Sequence, residues 1–310
     1  MRCLLLPLAL LASLAARAAD IDCPAAPLPP TPAEMAADLR AATDHGFLWK
    51  VTKDGHSSYL FGTIHAARRE WMYPGPQVRR ALDASDSLAV EIDILDPPTM
   101  QSFVEAIRAR TGQPIAQETL SRLRNLAQQE CAPGDISALP VELQLAELES
   151  GVGRREGLHP FYGIDLFLSG WARGVHWPVY SLESPVFQLD VLHKMIVEGG
   201  EAAIKEALGD FESGKVHRQF LETARVWADG DMARFSHYFE WCDCLHSDQD
   251  RRMMKLLNDD RNPGMAGKID ALHAQGHRVF AAVGSLHMLG PVGIPALLAG
   301  RGYQVEPVNY

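Results

Sequence analysis

The chain has 310 residues, 47% of them hydrophobic and 22% charged, a composition that excludes intrinsic disorder and leaves material for a sizeable core. Its formal charge of −10 argues against a nucleic-acid binder, which needs a cationic surplus to neutralise phosphates. Beyond the N-terminus no apolar run reaches the roughly 18 residues of a membrane span, so no integral span is expected in the mature chain.

Met1 and Arg2 form a short basic start, Cys3 to Leu14 is apolar, and Ala16-Arg17-Ala18 supplies the small residues a signal peptidase reads. Residues 1–18 are therefore read as a signal peptide cleaved after Ala18, with Ala19 as the second choice. The expected destination is the periplasm. Cleavage reduces the 29 basic residues to 27 against 39 acidic ones, so the mature chain is near −12 and has no attraction for anionic lipid or nucleic acid. Four cysteines remain, Cys23, Cys131, Cys242 and Cys244. An even number in an oxidising compartment implies two disulfides. A Cys242–Cys244 bridge would close a very small ring, so the expectation is that each cysteine pairs with a distant partner. A redox or metal pair at Cys242-Asp243-Cys244 is the alternative, weakened because no second cysteine pair completes a zinc site.

Residues 19–46 form a lead-in: five prolines between Cys23 and Pro32 predict an extended, exposed, mobile stretch, and 33–43 a short helix. Phe47 to Val51 and Ser58 to Phe61 are strands about an Asp54-Gly55 turn. A helix over 76–84 and a strand over 87–93 follow. Apolar residues at three- and four-residue spacing predict helices over 99–110, 117–130 and 140–149. A helix over 163–173 precedes a short strand over 177–183. Helices then run from Ser184 to about Asn258 and over 262–275. The end returns to strand, helix, strand at 278–283, 292–299 and 303–308. The fold class read from this order is α/β: a central mixed sheet formed by N- and C-terminal β-α modules, with a largely helical middle insertion. Residues 47–310 are read as one domain. Trp171, Trp177, Trp227 and Trp241 fall in the helical middle and are read as core, with the lining of a substrate groove as the alternative.

The two ends carry one pattern twice. Gly62-Thr63-Ile64-His65 follows an apolar strand, and Gly284-Ser285-Leu286-His287 follows another 222 residues later. A Gly ending a buried strand permits close backbone approach, and the next polar residues emerge at the carboxyl edge, where open α/β sheets bind ligands. If the strands are near neighbours, both imidazoles meet at one edge. Glu91 and Asp93, two apart at a strand end, are expected to face one side. Glu183 ends the later strand in the same way. Carboxylates beside imidazoles suit divalent-metal binding or general acid–base work.

The chain resembles the TraB/GumN family, which is related to the TIKI metalloproteases of animals. The resemblance rests on Tyr59 to His65, Val90 to Asp93, Gly163-Ile164-Asp165, Leu182-Glu183-Ser184, Arg261-Asn262 and Val283 to Gly290, in the family's order over roughly 47–308. It implies a single α/β domain whose site is built from both Gly-x-x-His motifs and a Glu. TIKI-related members look like divalent-metal-dependent proteases. Remoter relatives include esterase-like hydrolases with His and Glu around a water, and a haem- or iron-binding branch. GumN-like members are linked to exopolysaccharide gene clusters. The roles expected on this basis follow ligand chemistry. His65 and His287 bind the metal, or one binds and the other acts as base. Glu91 is a ligand or the base that activates water. Glu183 is a further ligand candidate. Asp165 orients an imidazole. Arg261 stabilises an oxyanion or pairs with a carboxylate. Asn262 caps a helix, and Gly62 and Gly284 are backbone permits. The ten remaining histidines are read as surface or core residues.

The leading expectation is an exported, metal-dependent, peptidase-like hydrolase using Mn, Co or Zn on a peptide or small amide or ester. Two alternatives stand beside it: a metal-free His/Glu esterase, and a non-catalytic envelope or exopolysaccharide-associated binding protein.

Overall fold

The sheet begins with two apolar runs and a two-residue turn. β1 (Phe47–Lys53) and β2 (His56–Thr63) pair antiparallel, with Lys53 opposite His56. Asp54 and Gly55 between them have φ of 51° and 83°, the left-handed turn that matches the twist of a hairpin. The computed structural model describes residues 22–110, 114–132 and 134–310; the signal-peptide reading lies outside the described residues. β3 (Ser87–Val90), β4 (Val179–Ser181), β5 (Val279–Gly284) and β6 (Gln304–Val308) complete the sheet. Its order is β4-β3-β5-β2-β1-β6. The first four of these neighbours run parallel, and β1 is antiparallel to both β2 and β6. The architecture is the mixed α/β sheet expected, with both chain ends contributing strands and a helical middle between them.

Every residue of β3 is buried, as are Val279 to Val283 of β5. Near-continuous apolar strands of this kind belong to parallel sheets covered on both faces. The helices begin with α1 (Pro32–Ala41), α2 (Pro76–Asp83) and α3 (Pro97–Ala109). The middle supplies α4 (Gln117–Gln129), α5 (Val141–Gly151), α6 (Ile164–Gly174) and α7 (Pro185–Glu212). It continues with α8 (Lys215–Ala228), α9 (Met232–Ser236), α10 (Tyr238–Trp241) and α11 (Asp248–Met254). α12 (Asn262–Ala274) and α13 (Ile294–Ala299) return the chain to the sheet. One apolar cluster surrounds the sheet. A second, with Leu123, Leu148, Ile204 and Leu208 at its centre, lies among α4, α5 and α7. Trp227 is fully buried in the first cluster.

Three expectations are corrected. The strand at Ser87 stops at Val90, three residues early, beside a partner β4 that is itself only three residues long. The proline-rich lead-in is extended and mostly exposed, yet it is anchored: Cys23 is bonded to Cys131, and Glu34 and Asp38 of α1 pair with Arg69. The third concerns the remaining cysteines. Cys242 and Cys244 bond to each other rather than to distant partners. Asp243 between them takes φ of 51°, which folds the backbone back and sets the two Cα atoms 5.1 Å apart, inside the range a disulfide spans.

Candidate active site

β2 and β5 are adjacent and parallel, with Gly62 opposite Val283 and Thr63 opposite Gly284. Both Gly-x-x-His segments therefore leave the sheet at one carboxyl edge. Gly62 lets the second segment approach: a Cβ there would stand 3.0 Å from Ser285 Oγ, and that hydroxyl donates to the Thr63 carbonyl at 2.9 Å. From the other face, the Trp227 indole N–H donates to the Gly62 carbonyl at 2.8 Å. The β3–β4 ladder continues past the strands, with the Glu183 N–H donating to the Glu91 carbonyl at 2.8 Å. Glu91 and Glu183 thus sit side by side next to the imidazoles.

The two rings approach one oxygen. His65 Nε2 is 3.9 Å and His287 Nε2 3.8 Å from Glu91 Oε1. These separations exceed a hydrogen bond and leave a gap for a third body. Gly284 keeps that gap open: a Cβ there would lie 3.0 Å from Glu91 Oε1 and 3.5 Å from His65 Nε2. The far nitrogen of each ring is anchored. His65 Nδ1–H donates to Asp165 Oδ2 at 2.6 Å, and Asp165 Oδ1 accepts from the Thr63 hydroxyl. His287 Nδ1–H donates to Asn262 Oδ1 at 2.6 Å, while Asn262 Nδ2 donates to the Val292 carbonyl at 2.9 Å. Asn262 is fully buried and, contrary to expectation, makes no helix cap with its side chain. It orients the second imidazole.

Behind the gap lies a buried ion cluster. Arg261 donates to Glu91 Oε2 at 2.6 Å and to Glu183 Oε2 at 2.5 Å, and its Nε reaches Glu183 Oε1 at 3.0 Å. Of the two roles expected for Arg261, the geometry displays the pairing with carboxylates. Gln188, which the sequence reading missed, bridges Glu183 at 3.0 Å and Glu91 at 3.3 Å. The available signal was its place in the first turn of a helix opened by Ser184-Pro185. Arg261 and Asn262 are presented by a π-turn over Lys255–Asp259, a local irregularity frequent at functional sites. Asp93 goes elsewhere. With the strand ended at Val90, its carboxylate turns to Arg173 and to the Leu95 N–H, beside a separate polar cavity of about 300 Å3 whose lining contains neither imidazole.

The electrostatics split the rings. The Asp165 carboxylate holds the His65 proton to a pH above the ordinary imidazole range, outweighing desolvation, and Glu91 adds to the effect. The His65 side chain is 68% exposed, so water screens part of this pull. Burial pushes His287 the other way, toward the neutral ring; it is only 5% exposed. Burial also works to neutralise Glu91, but the positive charges of His65 and Arg261 and the Gly284 N–H outweigh it and hold the carboxyl well below its usual range.

Among the described residues no group of three or more His, Cys, Asp or Glu side chains is placed to hold a metal ion. The donors at the gap are nevertheless of the chemical types that a divalent ion takes. Two Nε2 atoms with anchored Nδ1 partners and one ionised carboxylate are the ligand types of such centres. Their 3.8 and 3.9 Å separations lie near the roughly 3.4 Å edge of a tetrahedron built from bonds of about 2.1 Å.

Residues 47–307 match the TraB/PrgY/gumN family, and the chain belongs to it. It is similar to the uncharacterized protein YbaP of Shigella flexneri, 25% identical over 251 residues that cover 78% of this chain and 87% of that protein. The YbaP of Escherichia coli K12 is 24% identical over 259 residues, 80% and 90% of the two chains. No solved structure matches. Among the described residues no helix is long and apolar enough to cross a membrane.

Proposed function

We propose that this protein is an exported hydrolase of peptide or related amide bonds, with its attacking water held in the gap between His65, Glu91 and His287. One observation carries the reading: two anchored imidazoles from distant parts of the chain and one ionised carboxylate face a space left clear by Gly284. The two disulfides favour export, since such bonds persist in oxidising compartments. Bound by His65, His287 and Glu91, a divalent Mn, Co or Zn ion would polarise the substrate carbonyl and acidify a water. Arg261 keeps Glu91 ionised for that role, Asp165 and Asn262 fix both rings with Nε2 toward the gap, and Glu183 holds Arg261 in place.

A metal-free reading is favoured by the unlike settings of the two imidazoles, His65 open to solvent against the Asp165 carboxylate and His287 buried against the neutral Asn262 amide, which suit acid and base respectively. Here His287 Nε2 accepts the proton of the attacking water. Its oxygen bonds to the carbonyl carbon, and the leaving group departs with the proton held by His65.

The test is metal content and turnover of the purified mature protein. Stoichiometric metal lost in His65→Ala and His287→Ala, with turnover abolished by chelator, is the expected result. Turnover that survives exhaustive chelation selects the metal-free route. Peptide and ester panels with no turnover above His287→Ala overturn both and leave an envelope binding protein.

A further inference from the structure

The cavity bounded by His65 and Glu91 is walled by Ile92, Ile94, Pro160 and Leu166. It holds about 260 Å3. That is the space of about nine waters at roughly 30 Å3 each and falls below the roughly 300–1,000 Å3 that takes a whole drug-sized ligand. Its size suits one side chain. Ile94 keeps 50% of its surface in solvent although the strand it follows is buried throughout.

Charge narrows the occupant further. The lining contains no lysine or arginine, so an anionic side chain would meet His65 as its one positive neighbour in the lining, and that ring already serves Asp165. A cationic one would find both carboxylates already engaged, Asp165 by Thr63 and His65 and Glu91 by Arg261 and the Gly284 N–H. A neutral apolar side chain covers the exposed isoleucine and disturbs no ion pair.

We infer that this cavity is a specificity subsite for one neutral apolar side chain, of leucine to phenylalanine size, adjoining the bond cleaved at the His65–Glu91–His287 centre. The adjoining bond rests on the hydrolase reading; the occupant rests on the cavity alone, and the experiment separates the two. In the first arm, the mature protein is given a fluorogenic peptide series varied at the residue next to the scissile bond, with His287→Ala as blank. Leu and Phe peptides are expected to exceed Gly, Asp and Lys peptides in kcat/KM by about tenfold or more. Ile94→Asp should lower the Leu and Phe values by a similar factor, mainly through KM, and Ile94→Leu should keep them. Turnover that depends on His287 but shows no apolar preference overturns the subsite and leaves the hydrolase standing.

The second arm needs no turnover. Isoleucine methyl spectra are recorded while N-acetyl-leucinamide or its aspartate counterpart is added. The Ile92 and Ile94 methyls are expected to shift with the leucine probe only. If no peptide is cleaved, this arm decides: selective shifts uphold the subsite while the hydrolase reading falls, and no shifts overturn both.

Discussion

Gly284 has no side chain at the point where the site needs room. Gly284→Ala would place a methyl 3.0 Å from Glu91 Oε1 and 3.5 Å from His65 Nε2, close enough to displace both without breaking the strand. The expected outcome is a folded protein, with Tm changed by only a few degrees, whose turnover or metal affinity falls by about a hundredfold, the cost of misplacing reacting groups by about an ångström. Equal loss of fold and activity would contradict it. Arg261 is a different case, because it neutralises two carboxylates that are 4% and 11% exposed. Arg261→Met leaves those charges buried and uncompensated, a loss of about 3–5 kcal/mol in a urea titration. Adding Glu183→Gln to that variant should recover part of the loss, since the two residues are coupled rather than independent.

At the scale of elements, α12 is tied to the sheet through Asp270, which meets Lys53 of β1 at 3.1 Å and the Tyr303 hydroxyl, just before β6, at 2.9 Å. Burial works to raise the Asp270 pKa, but the hydrogen bonds from Tyr303 and Lys53 prevail and lower it. A carboxyl lowered on folding adds stability above its unfolded value of about 3.9 and loses that contribution as pH falls through its folded value. Urea midpoints of wild type and Asp270→Asn should therefore differ by about 1 kcal/mol near neutrality and converge as the pH drops below the ordinary aspartate range. The elements themselves were largely legible in the sequence, since buried parallel strands read as unbroken apolar runs and Asp54-Gly55 marks its own turn. The paired Gly-x-x-His segments were legible for the same reason, each standing where an apolar run ends. Less was visible wherever a partner elsewhere in the chain decides the outcome. Asp93 left the glutamate's side for Arg173, a partner 80 residues away, and for the Leu95 N–H. Asn262 binds an imidazole rather than capping a helix, because α13's approach presents Val292 to its amide. The Cys242–Cys244 bond depends on the backbone angle of one intervening residue.

Across the whole molecule, the two disulfides close loops of very different length, with sequence separations of 108 and 2. Loop-closure entropy assigns about 5 kcal/mol to the first and about 1.5 kcal/mol to the second. Replacing Cys23 and Cys131 with serine should therefore cost severalfold more in chemical denaturation than the same change at Cys242 and Cys244; equal losses would contradict the entropic account. The sheet order has its own consequence. β5 lies between β2 and β3, so the strand carrying the second imidazole is also the wedge that makes the other two neighbours. A ribosome that has released β1 through β4 has produced His65, Glu91 and Glu183, but on strands that still lack the spacer between them. On this strand order the centre is complete only once β5 is in place. Chains cut short before residue 284 lack the strand that spaces β2 from β3, and they are expected to leave His65, Glu91 and Glu183 without the shared gap that β5 and His287 complete.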